Sequence, residues 1–429
     1  MYLRVMQGIA AIAAVSFPVG WDLSRAEGPN PTRVSPTRAS PTRTTPARTS
    51  EARSDQAGPA HIQPADCWEI RSLGTLGGEL SRASDLNDSG QVVGTAATEP
   101  RVLDPADPAV SLQKPFISAV NGGALTEILV PGYFGGSATA INNAGQVVGA
   151  TTIGRSFPIA YMTDPGGSNV RTTLAYAVAR DINDLGQTLW DISYPFFKTV
   201  IGPTEQPESS GTDLIDVAVP TADSYRLFTE STALNDDGQV ALHANQMTQD
   251  PLVPSTEPAA YLWSNAAGAD QIAPDAVSSR VTDMNDAGQV VGILRTSEVG
   301  APAVEQAFVT RRYLGSLVML GQPGDGNQPT GLNNLGQIVG TRATHGESHA
   351  YVTVPVFVNR EIDLSTLPEV TRESWTQLQP AAINNRGQIA GTGLFNGAER
   401  AFILSPLSPM AFVPDSGGKH ATCYRWNGQ

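Results

Sequence analysis

Five histidines, two cysteines and a series of acid–amide clusters are the side chains of this sequence best suited to chemistry. His345 and His349 stand four apart, which on a helix would place both imidazoles on one face. The segment Thr344-His345-Gly346-Glu347-Ser348-His349 contains a glycine and reads instead as a loop between strands. A zinc ion there would need further ligands. The other histidines are His61, His243 and His420. There is no Gly-x-Ser-x-Gly nucleophile elbow, no phosphate-cradling loop and no pair of closely spaced cysteine ligands. Acids are plentiful, but nothing singles out two that face each other as a glycoside-cleaving pair would.

Calcium deserves a separate weighing, because it prefers cages of oxygen ligands. Asp85-x-Asn87-Asp88-x-Gly90, Asp181-x-Asn183-Asp184-x-Gly186 and Asp283-x-Asn285-Asp286-x-Gly288 cluster such oxygens. The alternating spacing and distal glutamate of a calcium loop are missing. Other copies of the same segment replace the first acid, as in Ala140-Ile141-Asn142-Asn143, Gly331-Leu332-Asn333-Asn334 and Ala382-Ile383-Asn384-Asn385. Turn capping accounts for every copy and calcium for three, so no cofactor or metal is expected, with calcium as the alternative.

The elements that carry these clusters are repeats. The pattern Asn-x-x-Gly-Gln occurs seven times, with its turn residues at Asn87 and Gly90, Asn142 and Gly145, Asn183 and Gly186, Asn235 and Gly238, Asn285 and Gly288, Asn333 and Gly336, and Asn384 and Gly387. The spacings are 55, 41, 52, 50, 48 and 51 residues. An apolar residue precedes each Asn, an apolar strand follows each Gln, and further on comes a small residue or Pro with an aromatic, as in Ala160-Tyr161 and Ala401-Phe402. The third repeat departs, with only Pro195-Phe196. Asn in a turn accepts a hydrogen bond from backbone two residues on. Gly at the fourth position takes positive φ without a Cβ clash. The motif therefore predicts a hairpin between two antiparallel strands.

Each repeat makes room for four short strands, too few to build a core alone. Sheets packed side by side bury both faces, which suits adjacent apolar pairs such as Val92-Val93. The expectation is all-β: a seven-bladed β-propeller of four-stranded antiparallel blades. A β-solenoid is the rival, but its coils are more regular than repeats whose lengths differ by 14 residues. Trp68-Glu69-Ile70-Arg71-Ser72-Leu73 has no preceding repeat to belong to. It is expected to complete the last blade and close the ring.

Several pieces of the repeat resemble a known family. Leu76-Gly77-Gly78, Leu86-Asn87, Gly90-Gln91-Val92-Val93-Gly94 and His349-Ala350-Tyr351 are similar to the HAF repeat, a family of predicted extracellular bacterial repeats, over about residues 70–405. The resemblance is strong for the glycine–glutamine core and weak for the histidine. It implies export and a propeller-like repeat, and nothing about substrate.

The ends agree with export. Arg4, the apolar run Val5 to Val19 and Ser24-Arg25-Ala26 read as a signal peptide over 1–26. Residues 27–66 form a linker in which Pro31-Thr32-Arg33 recurs as Pro36-Thr37-Arg38 and Pro41-Thr42-Arg43, too poor in apolar side chains to fold. Residues 1–66 hold 7 of the 27 Lys+Arg and 5 of the 41 Asp+Glu, leaving 20 against 36 over residues 67–429, a net −16. Such a body is not expected to bind nucleic acid. No further membrane span is expected, and the protein should be secreted, periplasmic or on the cell surface, as a monomer. Cys67 and Cys423 bracket the array and are expected to pair in an oxidising compartment.

The function expected is a non-catalytic binding or scaffold module for an unknown extracellular ligand or polymer, with a propeller hydrolase or lyase as the alternative. The Asn-x-x-Gly turns are short and uniform, while the connections on the opposite face vary, from 25 residues between Gln91 and Phe116 to 14 between Gln337 and Tyr351. Function concentrates on variable loops held by a rigid scaffold. That face should be the working one, with Tyr133 and Phe134 as candidate binding residues.

Overall fold

The computed structural model describes residues 68–424 apart from several connections, chiefly 101–110, 204–214, 217–226 and 247–256. The expected signal, linker and Cys67 lie outside the described residues. Seven four-stranded antiparallel sheets follow one another, a seven-bladed β-propeller. Blade 1 consists of Gly77–Leu86, Val92–Thr98, Gln113–Ser118 and Leu125–Glu127. Blades 2 to 6 cover 135–175, 177–216, 227–271, 278–320 and 328–363. Inner strands of successive blades lie beside one another, and that of blade 7 lies beside that of blade 1. Among the described residues the only α-helix is the five-residue Pro368–Arg372.

The ring closes as the sequence predicts. Blade 7 takes Trp375–Ile383, Ile389–Phe395 and Ala398–Pro406 from the last repeat, and its outer strand is Trp68–Ser72. That strand runs antiparallel to Ala398–Pro406, with Ile70 opposite Leu404. Trp68 and Ile70 alternate inward and bury against Leu364, Val370 and Trp375. Each such side chain contributes about 1.5–3 kcal/mol of burial, which holds the two ends of the chain together.

The core lies between blades. Val92 packs toward blade 7 with Ala390 and Ile403, and its neighbour Val93 packs toward blade 2 with Ala138 and Val147. Successive strand residues point to opposite faces, so one apolar pair serves two interfaces. In blade 3 the third strand is Lys198–Pro203, whereas the Pro195-Phe196 pair falls outside the described residues.

The seven motif turns form as expected. In each, the Gly N–H donates to the Asn carbonyl at 2.9–3.0 Å. The glycine φ angles run from 67° to 82°. The Asn side chain does more than turn chemistry asked of it. Its Oδ1 accepts the N–H of the Gln four residues on in all seven copies, and an N–H two residues on in three of them. Its Nδ2 donates to that Gln Oε1 and also to the backbone carbonyl of the motif Asn in the next blade. The second bond repeats from Asn87 through Asn142, Asn183, Asn235, Asn285, Asn333 and Asn384 and returns to Asn87, at 2.9–3.3 Å. The seven amides thus form a closed ring, each at most 5% exposed.

A second ring lies one residue on. The backbone N–H of Asp88 donates to Asn143 Oδ1, and the same step passes through Asp184, Asp236, Asp286, Asn334 and Asn385 back to Asp88 Oδ1.

Replacing Asn142 by Ala should therefore cost more than a lone turn bond. It leaves the Gln146 N–H without its acceptor and removes the inter-blade bond to the Asn183 carbonyl, which keeps only the Gly186 N–H, at about 2 kcal/mol. Gly145→Val should cost more, since a β-branched residue is strained at φ 82°. Chemical denaturation reads both, and unchanged midpoints would refute the ring.

Candidate functional site

Every inner strand carries a β-bulge two residues before its last residue, for example between Ala83 and Asp85 and between Ala179 and Asp181. The other five fall at the same place in their blades. A bulge breaks the ladder and frees backbone groups. Three aspartates answer that demand. Asp85 accepts the N–H of Leu86 in its own blade and of Ile141 in blade 2. Asp181 does the same for Ile182 and Leu234, and Asp283 for Met284 and Leu332. One carboxylate with two oxygens serves two blades, so acids are needed only in blades 1, 3 and 5. Ala140, Ala233 and Gly331 in blades 2, 4 and 6 sit where a second acid would be redundant and repulsive. The acids that in the sequence resemble calcium ligands act here as acceptors joining pairs of blades.

Burial raises all three carboxyls, Asp85 to about 7, Asp181 to about 6 and Asp283 to about 8. Repulsion by Asp181 adds to the rise at Asp85 and Asp283, against the lowering by their backbone hydrogen bonds.

The opposite face, called upper here, carries the ends of the inner and second strands that lie farthest from the Asn turns. Two groups of polar side chains gather on that half. The first joins blades 3 and 4. Arg180 is the bulge residue of blade 3, where blades 2, 4, 5 and 6 have threonine. Its guanidinium holds Asp191 at 2.8 Å and Glu230 at 3.2 Å. Asp191 also accepts from the hydroxyls of Thr199 and Ser231. Burial raises the Asp191 carboxyl, partly offset by Arg180. His243 faces Glu230 through Nε2 at 3.3 Å, and its Nδ1 is buried with no partner among the described residues. Burial lowers the His243 imidazole more than Glu230 raises it.

The second group lines a cleft of about 250 Å³ at the upper ends of blades 4 and 5. Arg295 pairs with Glu257 at 2.6 Å, and Arg280 stands 3.8 Å from Glu305. Pro258, Ile293 and Leu294 supply its apolar lining. The Arg280 charge reaches His243 and links the two groups electrostatically.

Solved structures share this architecture. The β-propeller domain of the Trilobed protease from Pyrococcus furiosus, described as having an open velcro topology, is 11% identical with TM-score 0.51, over 76% of this chain and 93% of that one. The fold is a β-propeller, here closed by its N-terminal strand. Pyrococcus horikoshii acylaminoacyl peptidase is 11% identical, TM-score 0.47, over 82% of this chain, which spans 52% of that protein's length. TolB from Acinetobacter baumannii is 13% identical with TM-score 0.38, over 64% of this chain and 62% of that one. At such identities the likeness concerns fold alone. No protein-family model and no curated protein matches the chain.

Of the residues singled out in the sequence, the fourteen turn residues assemble into one face. Tyr133 packs half-buried against the cluster that holds Ile128 and Val130, and its carbonyl accepts from Lys114. Phe134 and His345 lie outside the described residues. His349 sits in a strand 3.2 Å from Asp363. Cys423 lies in a hairpin strand opposite Phe412. The cluster of Arg180, Asp191, Glu230 and His243 escaped the sequence. Its one visible signal was an arginine at a bulge position occupied by threonine in most other blades.

Acid should strengthen the ring. A carboxyl whose folded value lies above its ordinary 3.8 binds its proton more tightly when folded. Its contribution is full below about 4 and is lost as pH rises through about 6 to 8. His243 acts in the opposite sense, one group against three. Melting temperatures should be several degrees higher at pH 5 than at pH 8.5. A triple Asp85→Ala, Asp181→Ala, Asp283→Ala variant should be less stable and flatter with pH. An equally steep profile in that variant would assign the pH dependence elsewhere.

Proposed function

We propose that the chain is an exported, non-catalytic binding or scaffold propeller that holds an extracellular ligand or polymer on its upper face. One observation carries this: the turn face is committed to two closed rings of inter-blade hydrogen bonds, while the upper face holds the charged cleft and the long connections. A rigid floor under variable loops is the usual arrangement of a binding scaffold. The resemblance to the HAF repeat, the signal-like residues 1–26 and the linker 27–66 support export, and the acidic body disfavours nucleic acid. No cofactor is invoked, and the protein acts as a monomer. Cys67 and Cys423 pair after export and tie the closing strand to the C-terminal hairpin. Non-reducing peptide mapping of exported protein should recover that pair. Two free thiols in it would refute the link.

A second function, hydrolase or lyase, is favoured by the cluster of Arg180, Asp191, Glu230 and His243. Against it, Arg180 ties up both carboxylates in ion pairs, and no hydroxyl or thiol nucleophile is placed on His243 among the described hydrogen bonds. The full chain should be incubated with insoluble polymers such as cellulose, chitin and peptidoglycan and followed by co-sedimentation and hydrogen exchange. Protection is expected around residues 257–258, 278–280 and 293–295, with the polymer left intact. Protection of the Asn turns instead would invert the working face. Polymer cleavage abolished by Glu230→Gln would replace binding by catalysis.

A further inference from the structure

We propose that the cleft between blades 4 and 5 is a subsite for one neutral sugar unit. This rests on the upper face being the binding face and names the ligand class. Four charged side chains line the cleft, two arginines and two glutamates, so its lining is neutral overall. An anionic ligand would meet Glu257 and Glu305, and a cationic one Arg280 and Arg295. The body around it carries a net −16, which repels anionic polymers at longer range.

The two pairs differ in a way that selects the ligand. Arg295 and Glu257 are in direct contact at 2.6 Å. Arg280 and Glu305 are not: 3.8 Å separates Nη2 from Oε1, and about half of each side chain is exposed. A hydroxyl oxygen beside that pair can accept from Arg280 and donate to Glu305, each at about 2.8 Å, in a triangle of ordinary hydrogen-bond sides. Hydroxyl is the common group that donates and accepts through one atom. An ammonium only donates and a carboxylate only accepts. Hydrogen bonds to charged partners are also the stronger ones. Pro258, partly exposed at the cleft, offers an apolar contact for the C–H face of a pyranose ring. The volume of about 250 Å³ falls below the ~300–1,000 Å³ of sites for drug-sized ligands, which fits a single ring rather than a longer segment.

The test is calorimetric titration of the full chain with cellotetraose, maltotetraose and xylotetraose as neutral probes. Tetragalacturonate serves as the anionic probe and tetraglycine as the zwitterionic one. At least one neutral oligosaccharide should bind, and Arg280→Ala and Glu305→Ala should each weaken it about tenfold or more, the loss of one charge-assisted hydrogen bond. Leu335→Ser, an exposed turn-face change, should leave binding unchanged. Thermal melts of each variant show whether it is folded. Should either cleft variant fail to fold, hydrogen exchange of the unmodified chain with bound sugar gives the same answer through protection at residues 278–280 and 305. The proposal is overturned if no neutral sugar binds, if only tetragalacturonate or tetraglycine binds, or if both folded variants bind the sugar as before. Sugar protection elsewhere on the upper face would remove this subsite but keep the binding face. Protection at the Asn turns would remove both.

Discussion

A primary amide offers two donors and an acceptor oxygen from one planar group. The ring of seven asparagines spends all three. Oδ1 and one Nδ2 hydrogen hold the turn through the Gln four residues on, and the other hydrogen crosses to the next blade. Local and long-range order are therefore written into the same side chain. Buried at the centre of one face, such bonds are costly to leave unmade. Because the seventh donor returns to Asn87, the blade number and the closure of the ring satisfy one condition together.

The aspartates show how a repeat protein economises on charge. A bulge in every blade frees backbone N–H groups, and a carboxylate can serve two of them. Acids in alternate blades cover six blades in three pairs, and an odd seventh blade is left over. Ile383, its residue before the motif Asn, receives no such acid, and Ala382 stands in the place of the aspartate. Spacing the acids also limits repulsion between them, which is already felt among the three. The second ring follows a related logic on the surface. Asn143 lies between Asp88 and Asp184, and Asn385 donates to Asp88, so amides separate acids there. Asp184, Asp236 and Asp286 run consecutively without an amide, and burial with their mutual repulsion raises Asp236.

These commitments divide the faces. Inter-blade bonding saturates the turn face, and its loops can hardly vary without breaking it. Among the described residues the upper face shows no such ring. Arginines there hold blades by ion pairs, Arg82 to Glu399 across the closing interface and Arg180 to Asp191 and Glu230. Long, differing connections can grow from it without disturbing the frame.

The sequence by itself determined the repeat, its hairpin, the number of blades and the identity of the closing strand. Each of these is local: a turn needs Asn and Gly at fixed offsets, and Val92-Val93 announces two buried faces without reference to a partner. It also made the three aspartates conspicuous, but not their purpose, because Leu86 and Ile141 lie in different blades and meet the same carboxylate only once the ring exists. The candidate site was hidden for the same reason. Arg180, Glu230 and His243 are scattered over 64 positions and carry no motif. Arg280 and Glu305 become a pair only through strand pairing within blade 5, and Glu257 joins the same cleft from the preceding blade only because adjacent sheets pack face to face. Tertiary structure decides which charges meet, since Coulomb and hydrogen-bond energies depend on distances that sequence separation does not encode.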